Sequence, residues 1–153
     1  MTTSDVLVTP PAEAFVWVWL PNAPDPVVAG LLRSVVGRYD FIYARSYLDR
    51  SDAVSLHGPE LPLQRGWIES PESLDMAGCL WDASPGSWGQ RVIDVRLAGG
   101  RYGDAADLVE STRLTYLLES GSDRIGGLDF QASATRYVPR VEEASLDELH
   151  AAA

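Results

Sequence analysis

Ala14-Phe-Val-Trp-Val-Trp-Leu20 is the stretch on which the fold turns. It is aromatic and β-branched throughout, which suits a strand apolar on both faces. Pro21, Pro24 and Pro26 follow and force a turn, because proline cannot donate to a sheet ladder. Val27 to Ser34 reads as a second strand and Gly37 as a tight return. Arg38 to Ala44 reads as a third strand, with Tyr39, Phe41 and Tyr43 on one face. Adjacent runs joined by short turns predict an antiparallel meander. Working outward, residues 1–13 read as a loose polar leader and residues 45–70 as irregular, with Pro59 and Pro62 between short extended pieces.

After Pro71 the period changes. Ser73 to Trp81 reads as a short helix containing Leu74, Ala77, Cys79 and Leu80. Ser84-Pro85 is a helix-start signal, serine as the N-cap and proline at the first helical position. The helix it opens carries Trp88, Val92 and Val95 along one stripe with Ile93 alongside, which assigns Trp88 to the core. Gly99-Gly100 ends it, since glycine tolerates the left-handed stop. A further helix is expected within Asp104 to Ser120, carrying Leu108, Leu114, Leu117 and Leu118 and closing at Gly121. Leu128 to Ala132 then reads as a return strand. The expected fold class is α+β: a small antiparallel β-rich subdomain followed by a helical part and that strand. The expected organisation is a leader (1–13), a β-rich N-terminal subdomain (14–70), a helical segment with a terminal strand (71–140) and the acidic start of a helix (141–153). Ser145-Leu-Asp-Glu148 has capping-box spacing and announces a helix over Leu146 to Ala153, a pattern expected of a chain cut from a longer one.

The 153 residues suit one domain, or two subdomains sharing a core. With 22 acids against 12 bases, the formal charge of −10 disfavours direct binding to nucleic acid or anionic lipid. Every base is arginine. The absence of lysine removes Schiff-base chemistry, a P-loop lysine and the phosphate-pairing lysine of a protein kinase. A single cysteine, Cys79, precludes an intrachain disulfide and fits a reducing cytoplasm. Met1 to Pro11 has neither the basic residue nor the apolar core of a signal peptide, and no apolar run approaches the ~20 residues of a membrane span.

Candidate chemistry is thin. His57 precedes Gly58-Pro59 and reads as a loop side chain, and His150 as a surface residue of the acidic terminal piece. No C-x-x-C or H-x-x-x-H spacing supports a zinc site. Gly121-Ser-Asp-Arg-Ile-Gly-Gly127 has the four-residue gap of a Walker loop but lacks its lysine and hydroxyl residue, so it reads as a structural turn. Asp82, Asp94, Asp123 and Asp129 are the carboxylates that pairing would use; solvated or salt-bridged acids are the commoner case. Asp123 with Arg124, and Asp82 with Arg91, read as local partners that fix loops. Trp67 and the irregular stretch Ser46 to Gly66 are candidates for exposed contact, with core packing or a plain loop role as the alternative. No catalytic, cofactor-binding or metal-binding residue is assigned, and the partner-binding positions stay unknown.

Three segments nonetheless look familiar. Phe41-Ile-Tyr-Ala-Arg-Ser-Tyr-Leu48, followed by Leu61-Pro-Leu-Gln-Arg-Gly66, resembles the N-terminal region of HipA-family toxins, the serine/threonine kinases of type II toxin–antitoxin modules. Gly78-Cys-Leu-Trp-Asp-Ala-Ser-Pro-Gly-Ser-Trp-Gly-Gln-Arg-Val-Ile93 is similar to that family's D-x-x-P-x-x-W-G-x-R-V-I helix start. Leu117-Leu-Glu-Ser-Gly-Ser-Asp-Arg-Ile-Gly-Gly-Leu-Asp-Phe130 is similar to its L-L-x-x-x-x-D-R-x-G-A-L-D-F element, with Gly127 where alanine is common. The likeness runs from about Phe15 to Arg140.

The resemblance implies a β-rich subdomain, then a helical part leading into an atypical two-lobed kinase. A full-length member would use ATP and Mg²⁺, act on cytoplasmic proteins and pair with a helix-turn-helix antitoxin that binds operator DNA. The family's Gly-rich serine loop, ATP-binding lysine and catalytic and metal-binding aspartates lie downstream of the matched region, so none transfers to a position here. The expectation is therefore the N-terminal region of a HipA-like kinase, silent by itself. The alternative is a stand-alone binding module that restrains a partner kinase, as in tripartite toxin–antitoxin systems.

Overall fold

The computed structural model describes residues 9–99, 112–124, 126–141, 145–147 and 150. Its frame is one five-stranded sheet of β1 (Glu13–Val18), β2 (Val27–Val35), β3 (Arg38–Tyr43), β4 (Trp67–Ile68) and β5 (Leu128–Gln131), in the order β4-β3-β2-β1-β5. Every neighbouring pair is antiparallel. With the helices of the described residues added, the fold is α+β, as the sequence pattern leads one to expect. The meander β1-β2-β3 follows the apolar runs closely. β5 closes the far side of β1, with Val16 opposite Phe130 and Trp17 opposite Asp129.

Alternation sorts the side chains. Ala14, Val16 and Val18 of β1, Leu32 of β2, Tyr39, Phe41 and Tyr43 of β3, and Leu128 and Phe130 of β5 enter one core. The β1–β2 register shifts between Val16 and Trp17, where Gly30 and Val28 are the successive partners and Ala29 is the extra residue. At Gly30 a Cβ would lie 2.1 Å from the Ile42 carbonyl oxygen and 2.5 Å from the Phe41 ring, so the aromatic packs directly on bare backbone.

The β2–β3 hairpin turns on two residues, Val36 and Gly37, both with positive φ (46° and 78°). That backbone is of the I′ kind, which asparagine followed by glycine adopts most readily. Valine is β-branched and fully exposed here, so it gains nothing from packing to offset the left-handed strain. Val36→Asn is expected to raise stability by about 1 kcal/mol, read as a rise of about 3 °C in Tm for a domain of this size.

The core face is covered by α1 (Arg45–Leu48), α2 (Gly78–Trp81) and α4 (Arg113–Glu119), while α3 (Ser87–Leu97) packs beside α4. α1 falls inside the stretch expected to be irregular; it seats Tyr47 in the core. Of the helix expected over Ser73 to Trp81, only Gly78–Trp81 is helical. The Asp75 carbonyl accepts instead from the Tyr39 N–H at 2.7 Å, which ties the preceding residues to β3. α3 starts at Ser87 with Gly86 as N-cap, so the expected Ser84 cap is corrected: the Ser84 N–H bonds back to the Trp81 carbonyl and prolongs the turn after α2. Trp88 is also corrected, being 52% exposed in a first turn outside the buried run Val92, Ile93 and Val95. Gly99 has φ 71°, the left-handed stop expected there; Gly100 lies outside the described residues.

α4 begins on a capping box in which the Thr112 hydroxyl accepts from the Thr115 N–H and the Thr115 hydroxyl from the Thr112 N–H. Leu114 and Leu117 are fully buried, each contributing about 1.5–3 kcal/mol. The expected helical residues 104–111, most of the leader, and Glu148 of the terminal capping box lie outside the described residues.

Candidate functional site

The residues that carry chemistry are spread apart. His57 lies on the loop after α1, its Nδ1 3.5 Å from the Glu60 carboxylate. His150 is exposed. Glu60 in turn accepts from the Gly78 N–H at 2.6 Å. Cys79, next in the chain, is half-buried, and burial followed by the charge of Glu60 pushes its thiol up to about 11. It is a protonated, weakly nucleophilic thiol at neutral pH. Asp82 and Asp123 are exposed, and Asp94 accepts from the Tyr116 hydroxyl at 3.1 Å. Among the described residues no three His, Cys, Asp or Glu side chains gather as a metal site, and no helix is long and apolar enough to cross a membrane.

The loop after α1, irregular as expected, is pinned by two tyrosines: Tyr43, expected on β3, and Tyr47, which lies in the stretch expected to be irregular and is buried instead. The Tyr43 hydroxyl donates to the Leu61 carbonyl (2.5 Å) and accepts from the Leu56 N–H (2.9 Å). The Tyr47 hydroxyl donates to the Val54 carbonyl (2.8 Å), and the two rings stack 5.8 Å apart. Burial, partly offset by the bond from Leu56, pushes Tyr43 up to about 12. Burial raises Tyr47 and Tyr39 as well.

The sign follows directly. A phenol whose folded pKa exceeds its unfolded value of about 10 loses its contribution as pH rises through that interval. With no lysine in the chain, alkaline titration is dominated by tyrosine and Cys79. Stability is expected to hold to about pH 9 and to fall between pH 10 and 12. Near-ultraviolet tyrosinate absorbance should rise together with loss of circular dichroism. Tyr43→Phe should flatten that limb while weakening the loop anchor at neutral pH.

Asp129 is the hub of a second network. Its side chain is fully buried and accepts from the Ser122 hydroxyl (2.7 Å), the Gln131 amide (2.8 Å), the Phe130 N–H (2.7 Å), Arg124 Nε (3.2 Å) and an Arg140 guanidinium nitrogen (2.9 Å). Arg124, itself 4% exposed at the side chain, also donates to the carbonyls of Ala83, Leu117 and Ser120. Burial would raise the Asp129 carboxyl, but the bonds from Ser122 and Gln131 and the charge of Arg140 outweigh it and hold the group below the usual carboxylate range. The expected Asp123–Arg124 pairing is thus corrected: Arg124 turns inward to Asp129. The turn Gly121 to Gly127 serves this network. Two hydrogen bonds join the Gln131 amide to the Val138 main chain, and the Trp17 indole N–H donates to the Ser133 carbonyl. Tyr137 packs edge-on against Trp19 at 5.2 Å. Residues 132–140 are thereby fastened over the β1–β5 side of the sheet. These are scaffold interactions, centred on a fully buried carboxylate.

The remaining sheet face, opposite the core, is different in kind. The strand register aligns Trp67, Ile42, Leu31 and Phe15 in one row across β4, β3, β2 and β1. All four are partly solvent-exposed, Trp67 at 37%. Arg33 lies over the Trp67 ring at 3.5 Å and 3.6 Å from Asp40, holding the indole flat at the sheet edge. Trp67 is therefore exposed, one of the alternatives the sequence leaves open. Its row partners are not legible because these strands are apolar on both faces, and only register lines up the residues of the outer face into one row. No family model, no curated protein and no solved structure matches the chain.

Proposed function

We propose that this chain is the N-terminal region of a HipA-like serine/threonine kinase of a type II toxin–antitoxin module, carrying scaffold and contact surface without the ATP-binding and catalytic residues. The observation that carries this reading is that the familiar-looking segments supply the bonds that lock the fold. Tyr43 from the first bonds the Leu61 carbonyl of its continuation. Arg124 from the third reaches the Ala83 carbonyl of the second at 3.0 Å and Asp129 within its own. Residues that interlock distant segments are those a family would share. A full-length relative would bind ATP and Mg²⁺ through downstream residues, work in the cytoplasm and pair with a helix-turn-helix antitoxin. With no lysine and a charge of −10, this chain offers nucleotide phosphates little. Calorimetry with ATP and Mg²⁺ is expected to give no stoichiometric binding; micromolar binding at one site overturns the reading.

A second reading, a separate module that restrains a partner kinase, is favoured by the open apolar row across the sheet. Co-purification with a kinase encoded beside it is the expected result. Failure of the two to associate removes this alternative and leaves the first untouched.

A further inference from the structure

We infer that the sheet face bearing Trp67, Ile42, Leu31 and Phe15 docks an amphipathic helix of another protein, apolar along one stripe and flanked by arginine or lysine. The inference goes beyond the kinase reading and holds without it.

Geometry comes first. Adjacent strands lie about 4.8 Å apart, so a row across four strands is about 14 Å long. That is the length of roughly ten helical residues, and side chains at i, i+3/i+4, i+7 and i+10 make an apolar stripe of about that span. The row is bounded at one end by Gln131, opposite Phe15 in register and tied to Val138, and at the other by the Arg33-clamped indole. Arg33 turns to Asp40 and Trp67, so it does not project a free charge over the row. The wall is thus preformed, which limits the ordering cost of binding.

Charge selects the occupant. The chain carries −10 overall; beside the row, exposed Glu13 and Glu69 stand with Arg65 exposed just before β4, while the part-exposed Arg33 over Trp67 is matched by Asp40 at 3.6 Å. A second copy would bring the same excess of negative charge, and nucleic acid or an anionic membrane more of it, so each is opposed at long range. A helix with basic flanks is steered toward the face and then buries its apolar stripe.

The test uses the full chain and synthetic Leu/Lys and Leu/Glu amphipathic helices of about fourteen residues, followed by calorimetry at two salt concentrations. The Leu/Lys helix is expected to bind, more weakly at high salt, and the Leu/Glu helix not to bind. Leu31→Ser and Trp67→Ala should each weaken binding at least tenfold. Trp88→Ala, which removes an exposed tryptophan elsewhere, should not. Circular dichroism establishes that each variant is folded. Equal binding by the face variants, equal binding of the Leu/Glu helix, or a dimer in sedimentation that Trp67→Ala dissolves would each overturn the inference.

Discussion

Asp129→Ala is expected to lower stability by about 3–5 kcal/mol, the cost of leaving buried guanidinium charge without its counter-ion. Both Arg124 and Arg140 bond to this one carboxylate, and Arg124 has almost no access to water. At roughly 2–4 °C per kcal/mol for a domain of this size, Tm should drop by about 10 °C. Asp129→Asn keeps an acceptor for Ser122 and should fall between the two. The double variant Asp129→Leu with Arg124→Met should be less damaged than Asp129→Ala, because it removes the deeply buried guanidinium together with its counter-ion and leaves only the part-exposed Arg140 unpaired. If Asp129→Ala melts within a degree or two of the parent, the hub does not support the fold.

The same site sets the acid limb. The Asp129 carboxyl is held below its ordinary value, so its contribution is complete above the unfolded pKa of about 4 and is lost as pH falls through the folded one. The parent chain should therefore lose stability steeply below about pH 4. Asp129→Asn should show a shallower dependence there, measured by denaturant unfolding at stepped pH.

The second large effect is at Gly30. An alanine methyl would overlap the Ile42 carbonyl and the Phe41 ring, and backbone on a central strand cannot retreat. Gly30→Ala is expected to cost about 3 kcal/mol, the upper part of the usual range for overpacking. Pairing it with Phe41→Leu relieves the ring contact and leaves the carbonyl contact. Partial rescue is the expected outcome; complete rescue would mean that the backbone contact costs nothing.

Much of this architecture is legible in the sequence, for physical reasons. Strands β1 to β3 announce themselves because dense β-branched and aromatic runs alternate with proline and glycine breaks. β5 is legible as a strand in Leu128-Asp-Phe-Gln131, but not as the partner of β1, since pairing across so long a separation leaves no local mark. The start of α3 was misplaced because a Ser-Pro pair suits a turn as well as a cap, and here the Ser84 N–H had the Trp81 carbonyl within reach. The Asp129 hub was hidden for a related reason. Leu128 and Phe130 face the core, so alternation puts Asp129 on the side usually open to water. What buries it is residues 132–140 folding back, a stretch with no periodicity to read. Glycine at 30 reads as one more strand residue, because its necessity resides in the Phe41 ring and the Ile42 carbonyl of the neighbouring strand. The sequence left Trp67 between exposed contact and core packing, and nothing short of register could line it up with Ile42, Leu31 and Phe15.

The bonding of Gln131 to Val138 has one more consequence. A side-chain amide that gives and receives one hydrogen bond with main chain imitates the next strand of a ladder, and it occupies the rim where β5 would otherwise accept a stranger. On the opposite rim, β4 offers only two residues, too short a template for cross-β growth. Both margins of the sheet thus carry a device that discourages the addition of a foreign strand.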